Sequence, residues 1–176
     1  MPGIGQIFYR APGTKTAQAA IRNVSAFAKA WREVLLAPRV RSAVSDAELQ
    51  DLASGAIGFA SVMRAMQSML GTDTKVIEAN LSSVSNLALV ELSRRTGQSV
   101  SGLDQMARQY AADTLRRWPG VAPAHGVLSQ EPVGALSILS QVAFLAAKAS
   151  GKAREARAAA ARRAVTARAG ASRARI

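Results

Sequence analysis

Apolar residues recur at intervals of three and four along most of this chain, the spacing that places them on one face of an α-helix. The pattern covers the stretches 14–37, 45–70, 72–95, 101–118 and 131–150. Alanine is abundant and strand-forming residues occur singly rather than in alternation, which also favours helices. The sequence therefore predicts an all-α fold, a small bundle of about four to five helices.

Glycine and proline mark the expected ends of these helices. Residues 1–13 contain two prolines and three glycines, which predicts an irregular start. Pro38 is expected to end the first helix, and Gly71 and Gly97 are expected to end the next two in the left-handed conformation. Gly151 is expected to separate the fifth helix from the C-terminal tail.

Side chains that accept hydrogen bonds mark the expected beginnings. Ser45 and Glu48 have the spacing of a capping box, in which each side chain binds the other residue's backbone amide. Thr72 or Asp73 is expected to cap the next helix, and Ser101 the one after it.

Positive charge is concentrated at the two ends of the chain, whose formal net charge is +12. Residues 1–44 hold seven Lys and Arg against one acid, and residues 148–176 hold nine against one. The stretch 45–147 holds seven against nine. This asymmetry predicts a basic N-terminal arm with an amphipathic helix (1–44), a helical body (45–147) and a basic tail (148–176) that is either helical or disordered.

The tail carries the strongest functional signal, because its cations lie among alanines that offer little apolar surface for packing. The planar guanidinium of arginine suits bidentate contacts with phosphate, and the tail has no aromatic residue on which a base could stack. We therefore expect contacts with a nucleic-acid backbone rather than sequence reading. The expected contacts in the tail are Lys148, Lys152, Arg154, Arg157, Arg162, Arg163, Arg168, Arg173 and Arg175. Those in the N-terminal arm are Arg22, Lys29, Arg32, Arg39 and Arg41.

The chain lacks the residue types that most enzymes and metal sites use. It contains no cysteine and a single histidine, His125, which leaves no disulfide, thiolate nucleophile or cysteine-based zinc site. No glycine-rich phosphate loop follows a predicted strand. The sequence predicts no catalytic site, no metal and no cofactor.

These features together favour a non-enzymatic structural subunit, anchored on RNA or DNA by its basic ends and packed against other protein subunits. A ribonucleoprotein particle, a nucleoid or a virion interior would suit such a protein, so we expect it inside a cell or a particle. The basic, amphipathic stretch 14–36 also has the composition of a mitochondrial targeting segment. A further hypothesis is an adaptor whose basic ends bind an acidic protein surface.

A membrane-associated or virion channel-type subunit is the main alternative. Residues 133–147 carry no charge and are followed by Lys148, Lys152 and Arg154, an order seen at the cytoplasmic end of membrane helices. This run of 15 residues is shorter than the about 20 that span a bilayer, so a core helix is favoured for 131–150.

The stretch 75–103 resembles a ribbon-helix-helix DNA-binding unit. It begins Lys-Val-Ile-Glu-Ala-Asn-Leu, continues to Ser-Arg-Arg-Thr-Gly at 93–97, and ends Gln-Ser-Val-Ser-Gly-Leu at 98–103. The resemblance implies that 75–81 is a strand paired across a dimer, with Ser99 and Ser101 near a phosphate. It would point Ile77, Ala79 and Leu81 inward and use Val76, Glu78 and Asn80 as groove readers. The same apolar residues also suit a continuous helix.

Overall fold

The computed structural model describes residues 4–67, 71–118, 121–122, 127–128 and 132–175, with side chains for 15–67, 71–118 and 136–175. This part of the chain contains six helices: α1 (Ile4–Leu36), α2 (Pro38–Arg41), α3 (Asp46–Ala65), α4 (Lys75–Thr96), α5 (Val100–Arg116) and α6 (Pro132–Ala174). Two short antiparallel strands, β1 (Val121–Ala122) and β2 (Val127–Leu128), lie between α5 and α6. The prediction of an all-α bundle is confirmed, and the tail is helical.

Local capping chemistry agrees with the sequence at several helix ends. The Ser45 hydroxyl accepts from the Glu48 amide at 3.2 Å, and the Ser45 amide donates to the Glu48 carboxylate at 3.1 Å, which confirms the capping box. Gly71 and Gly97 adopt φ values of 63° and 74°, the left-handed conformation expected of them. The α4 helix ends directly before Gly97, whereas α3 already ends at Ala65.

Two other caps lie elsewhere than predicted. Ser99 rather than Ser101 caps α5, because its hydroxyl accepts from the Gly102 amide at 3.2 Å. Thr74 precedes α4, and Asp73 accepts from the Lys75 amide at 3.0 Å. Ser99 has the extended backbone of a cap, whereas Thr74 has φ −96° and ψ 3° and its side chain caps no amide. Serine and threonine residues lie close together at both places, so composition alone does not single out the capping residue.

Two predicted boundaries are wrong. The α1 helix begins at Ile4 rather than after residue 13, and it passes through Pro12 although an interior proline ordinarily costs a helix about 3 kcal/mol. Pro38 ends α1 as predicted, and it also opens α2, at the first-turn position where no amide is needed. Gly151 lies inside α6, which is continuous for 43 residues. The helix propensity of the surrounding alanines offsets the about 1 kcal/mol that an internal glycine costs.

The segment expected to form a ribbon is also helical. Residues 75–81 are the first two turns of α4, with Leu81 buried and Val76 72% exposed. The strand that the ribbon-helix-helix resemblance implies is therefore not formed, and the alternative of a continuous helix is correct.

The core is built around α1 and α6, which run parallel to each other. The Asn23 side chain donates to the Ala143 carbonyl at 3.0 Å, and the Trp31 indole donates to the Ala149 carbonyl at 2.9 Å. Because residue numbers increase in the same direction along both helices at these contacts, α1 and α6 are parallel. Phe27 of α1 meets Phe59 of α3 edge to face, with ring centroids 5.2 Å apart.

The apolar half of α6 belongs to this core. Ile138, Val142 and Ala146 are fully buried, as expected for a bundle helix. Among the residues that the structure describes, none of the helices combines the length and apolarity that a bilayer crossing requires.

A partly buried ionic cluster joins α4 to the connection between α1 and α3. The Glu91 carboxylate accepts from Arg94 at 2.7 Å and from Arg95 at 2.9 Å, and Arg41 lies 3.4 Å away. Arg95 also donates to Asp46 and to the carbonyls of Arg41 and Val44. The hydrogen bonds from Arg94, reinforced by Arg95 and opposed by burial, lower the pKa of Glu91 to about 2.

Candidate nucleic-acid interface

The second half of α6 is a solvent-exposed helix. Ala153 is its last buried residue, and none of residues 154–175 is buried. Arg157 contacts Glu33 only three residues before α1 ends, so α6 continues about 20 Å beyond the end of α1. The predicted tail is thus the exposed end of a core helix. The first half of the same helix is packed in the bundle and holds the tail in place.

Most of the predicted contact residues are exposed and carry unneutralised charge. Among the described residues, only Arg41 and Arg157 of the 14 predicted cations form salt bridges. The body differs, because five of its arginines pair with carboxylates within the same part of the chain. These are Arg64, Arg94, Arg95, Arg108 and Arg116. Positive charge available to a partner is therefore concentrated on α1, α2 and α6.

Arg41 differs from the other predicted cations in its surroundings. Its guanidinium lies 3.4 Å from the Glu91 carboxylate and donates to the Leu35 carbonyl at 3.0 Å. Only 31% of its side chain is exposed. Arg41 therefore stabilises the bundle, and its position in a basic segment gave no sign of this. Arg157 pairs with Glu33 at 2.6 Å but remains 57% exposed.

The outer face of α1 carries an ordered row of cations. Lys15, Arg22 and Lys29 are all exposed and follow one another at seven-residue intervals, which spaces them about 10 Å apart along the helix. Phe27 and Trp31 face the core on the other side. Lys15 is not among the predicted contacts, although its seven-residue spacing from Arg22 places it on the same face of the helix.

A groove of about 300 Å³, the aromatic groove, opens between α1, α3, α5 and α6. Five of the eight aromatic residues of the chain line it: Phe27, Trp31, Phe59, Tyr110 and Trp118. Its rim has Glu48 and Asp51 on one helix and Lys148 and Lys152 on another. No local sequence pattern indicates this groove, because its lining residues come together only through the packing of four helices.

Gly55 lines the aromatic groove and has room for a side chain. It follows Asp51 and Leu52 on the α3 face that lines the groove, and a Cβ atom there would meet nothing within 4 Å. We expect Gly55→Ala to raise the free energy of unfolding by about 1 kcal/mol, because alanine favours the helix interior and has room. Urea denaturation measures the change. Gly102→Ala is the comparison: its Cβ would lie 3.0 Å from the Ser99 hydroxyl, so equal stabilisation by both variants would contradict this reasoning.

The described residues show no group of three or more His, Asp and Glu side chains suited to a metal ion. His125 lies outside the described residues. No family model, curated protein or solved structure matches this chain. Function is therefore inferred from the charge, exposure and pairing of the residues above.

Proposed function

We propose that this protein is a non-enzymatic structural subunit of a larger assembly that holds RNA or DNA by its backbone. The observation that carries the proposal is the exposed half of α6. Residues 154–175 present seven arginines and one acid, and none of these residues is buried. A polyanion would relieve the repulsion among these charges, and guanidinium groups match phosphate oxygens in shape and charge.

The distribution of ion pairs supports a partner outside the chain. Five of the six body arginines, all but Arg117, pair with carboxylates three to fourteen residues away or with Asp46. The exposed cations of α6 beyond Arg157 have no carboxylate within reach among the described residues. An internal role in stability therefore accounts for most of the body arginines but not for those of the tail. Binding to phosphates accounts for the tail.

Contacts with other protein subunits are part of the same proposal. Met106 and Tyr110 lie one turn apart on α5 and are 63% and 60% exposed. Large apolar side chains of these types are enriched at protein interfaces. We therefore assign protein contacts to this side of the body and nucleic-acid contacts to the basic helices.

Salt dependence tests the proposal directly. We expect the full chain to bind a 20-base-pair duplex, with the logarithm of the binding constant falling linearly with the logarithm of salt concentration. Six or more phosphate contacts would reduce affinity at least about 1,000-fold between 50 and 200 mM salt. Fluorescence anisotropy with labelled DNA and RNA measures this. A flat response, or equal binding to neutral liposomes in flotation, would contradict the proposal.

A further inference from the structure

The cations of the outer half of α6 form two rows on opposite sides of the helix. With 3.6 residues per turn, the first row spans about 60° of the circumference and the second about 100°, and their centres are about 160° apart. The first row contains Arg154, Arg157, Arg168 and Arg175, of which Arg157 also pairs with Glu33. The second contains Arg162, Arg163 and Arg173, with Glu155 on the same side of the helix.

One of the two sides between these rows consists of alanine alone. It continues the stripe that packs on α1 through Val142, Ala146 and Ala153. Its members are Ala156, Ala160, Ala164, Ala167, Ala171 and Ala174. Because alanine is short, the backbone can approach a surface closely on this side while arginines extend past it on both flanks.

We infer that this segment lies in the major groove of duplex DNA, with the alanine side toward the groove floor and the two cation rows on the two phosphate strands. The inference rests on the proposed function and narrows its ligand to B-form DNA. Two opposed rows of cations match a ligand with two opposed rows of anions. A flat anionic surface would bind one row and leave the other in solvent.

The dimensions agree with this arrangement. The major groove of B-form DNA is about 12 Å wide and admits an α-helix, whose diameter with side chains is about 10–12 Å. Duplex RNA has a deep and narrow major groove that side chains do not reach. Alanine offers no hydrogen bond to base edges, so binding in this mode carries little sequence preference.

Duplexes with one groove blocked test the inference on the full chain. The probes are a mixed-sequence 20-base-pair DNA, the same DNA with glucosylated hydroxymethylcytosine filling the major groove, and an RNA duplex of the same sequence. We expect the glucosylated DNA and the RNA to bind at least about 10-fold more weakly than plain DNA in anisotropy at 0.1 M salt. Netropsin, which fills the minor groove of an A·T duplex, should change affinity by less than about twofold.

A matched pair of variants tests the orientation of the helix. Ala164→Leu with Ala171→Leu adds bulk to the alanine side, and Ala158→Leu with Ala169→Leu adds the same bulk to the other side of the helix. Net charge is equal in both. We expect the first variant to lose about 10-fold in affinity for DNA and the second less than about twofold, because only the first keeps the backbone from the groove floor.

The outcomes separate the two proposals. Equal binding to plain and glucosylated DNA, or equal effects of the two leucine variants, would overturn the groove assignment. If binding still fell steeply with salt, the proposed function would stand. Stronger binding to duplex RNA than to DNA would do the same. Absence of binding to every duplex at low salt would overturn both.

Discussion

Replacing Arg162, Arg168 and Arg173 with glutamine is expected to weaken binding to a 20-base-pair DNA duplex on the order of 100-fold at 0.1 M salt. Each phosphate neutralised by an arginine releases counterions, and each lost contact lowers the slope of log affinity against log salt by about 0.9. Three lost contacts therefore reduce the slope by about 3. Anisotropy titrations at four salt concentrations measure both quantities.

A control of the same charge makes this result specific. Arg64, Arg108 and Arg116 each pair with a carboxylate of the body at 2.7–2.9 Å. Changing these three to glutamine removes the same three formal charges, but from side chains that already have a partner. We expect this control to bind the duplex with an affinity within about threefold of wild type. Its slope of log affinity against log salt should lie within about one of the wild-type slope. Equal losses in the two variants would show that net charge rather than the tail governs binding.

Glu91→Gln is expected to lower the free energy of unfolding by about 3 kcal/mol. The Glu91 side chain is 5% exposed, and its carboxylate neutralises Arg94 and Arg95 in the partly buried cluster. Glutamine has nearly the same shape, so the loss comes from the charge and leaves Arg95 with only Asp46 as an ionic partner. Urea denaturation at pH 7 measures the change.

The pH dependence of the same variant carries a second expectation. The pKa of Glu91 falls from 4.5 to about 2 in the folded protein, because the hydrogen bonds from Arg94 and Arg95 stabilise the carboxylate. A lowered folded-state pKa stabilises the fold above pH 4.5, and this contribution disappears as the pH falls toward about 2. The stability difference between wild type and Glu91→Gln should therefore be constant near neutral pH and shrink below pH 4.5.

Asp104→Asn is the matched control for Glu91→Gln. Asp104 also pairs with an arginine, Arg108, at 2.8 Å, but their side chains are 32% and 64% exposed. We expect Asp104→Asn to lower the free energy of unfolding by less than about 0.5 kcal/mol, because solvent screens exposed ion pairs. A loss at Asp104 as large as that at Glu91 would contradict the role assigned to burial.

The sequence shows where the cations of the candidate site lie along the chain, but not which of them pair with carboxylates. Among the described residues, twelve of the 14 predicted cations form no salt bridge. Arg41 and Arg157 differ because they meet Glu91 and Glu33, which lie 50 and 124 residues away in the chain. No local pattern records such distant carboxylates. The two opposed rows on α6 depended on a further fact, that the helix continues through Gly151.

The sequence by itself determined the helical fold, the concentration of charge at both ends and the caps at Ser45 and Gly97. These features depend on propensity and on hydrogen bonds within a few residues, which act in the same way in any surroundings. Only the tertiary structure decided that α1 and α6 run parallel, that four helices enclose the aromatic groove, and which arginines have carboxylate partners. Those features arise from contacts between residues far apart in the chain, and the packing of the bundle as a whole selects them.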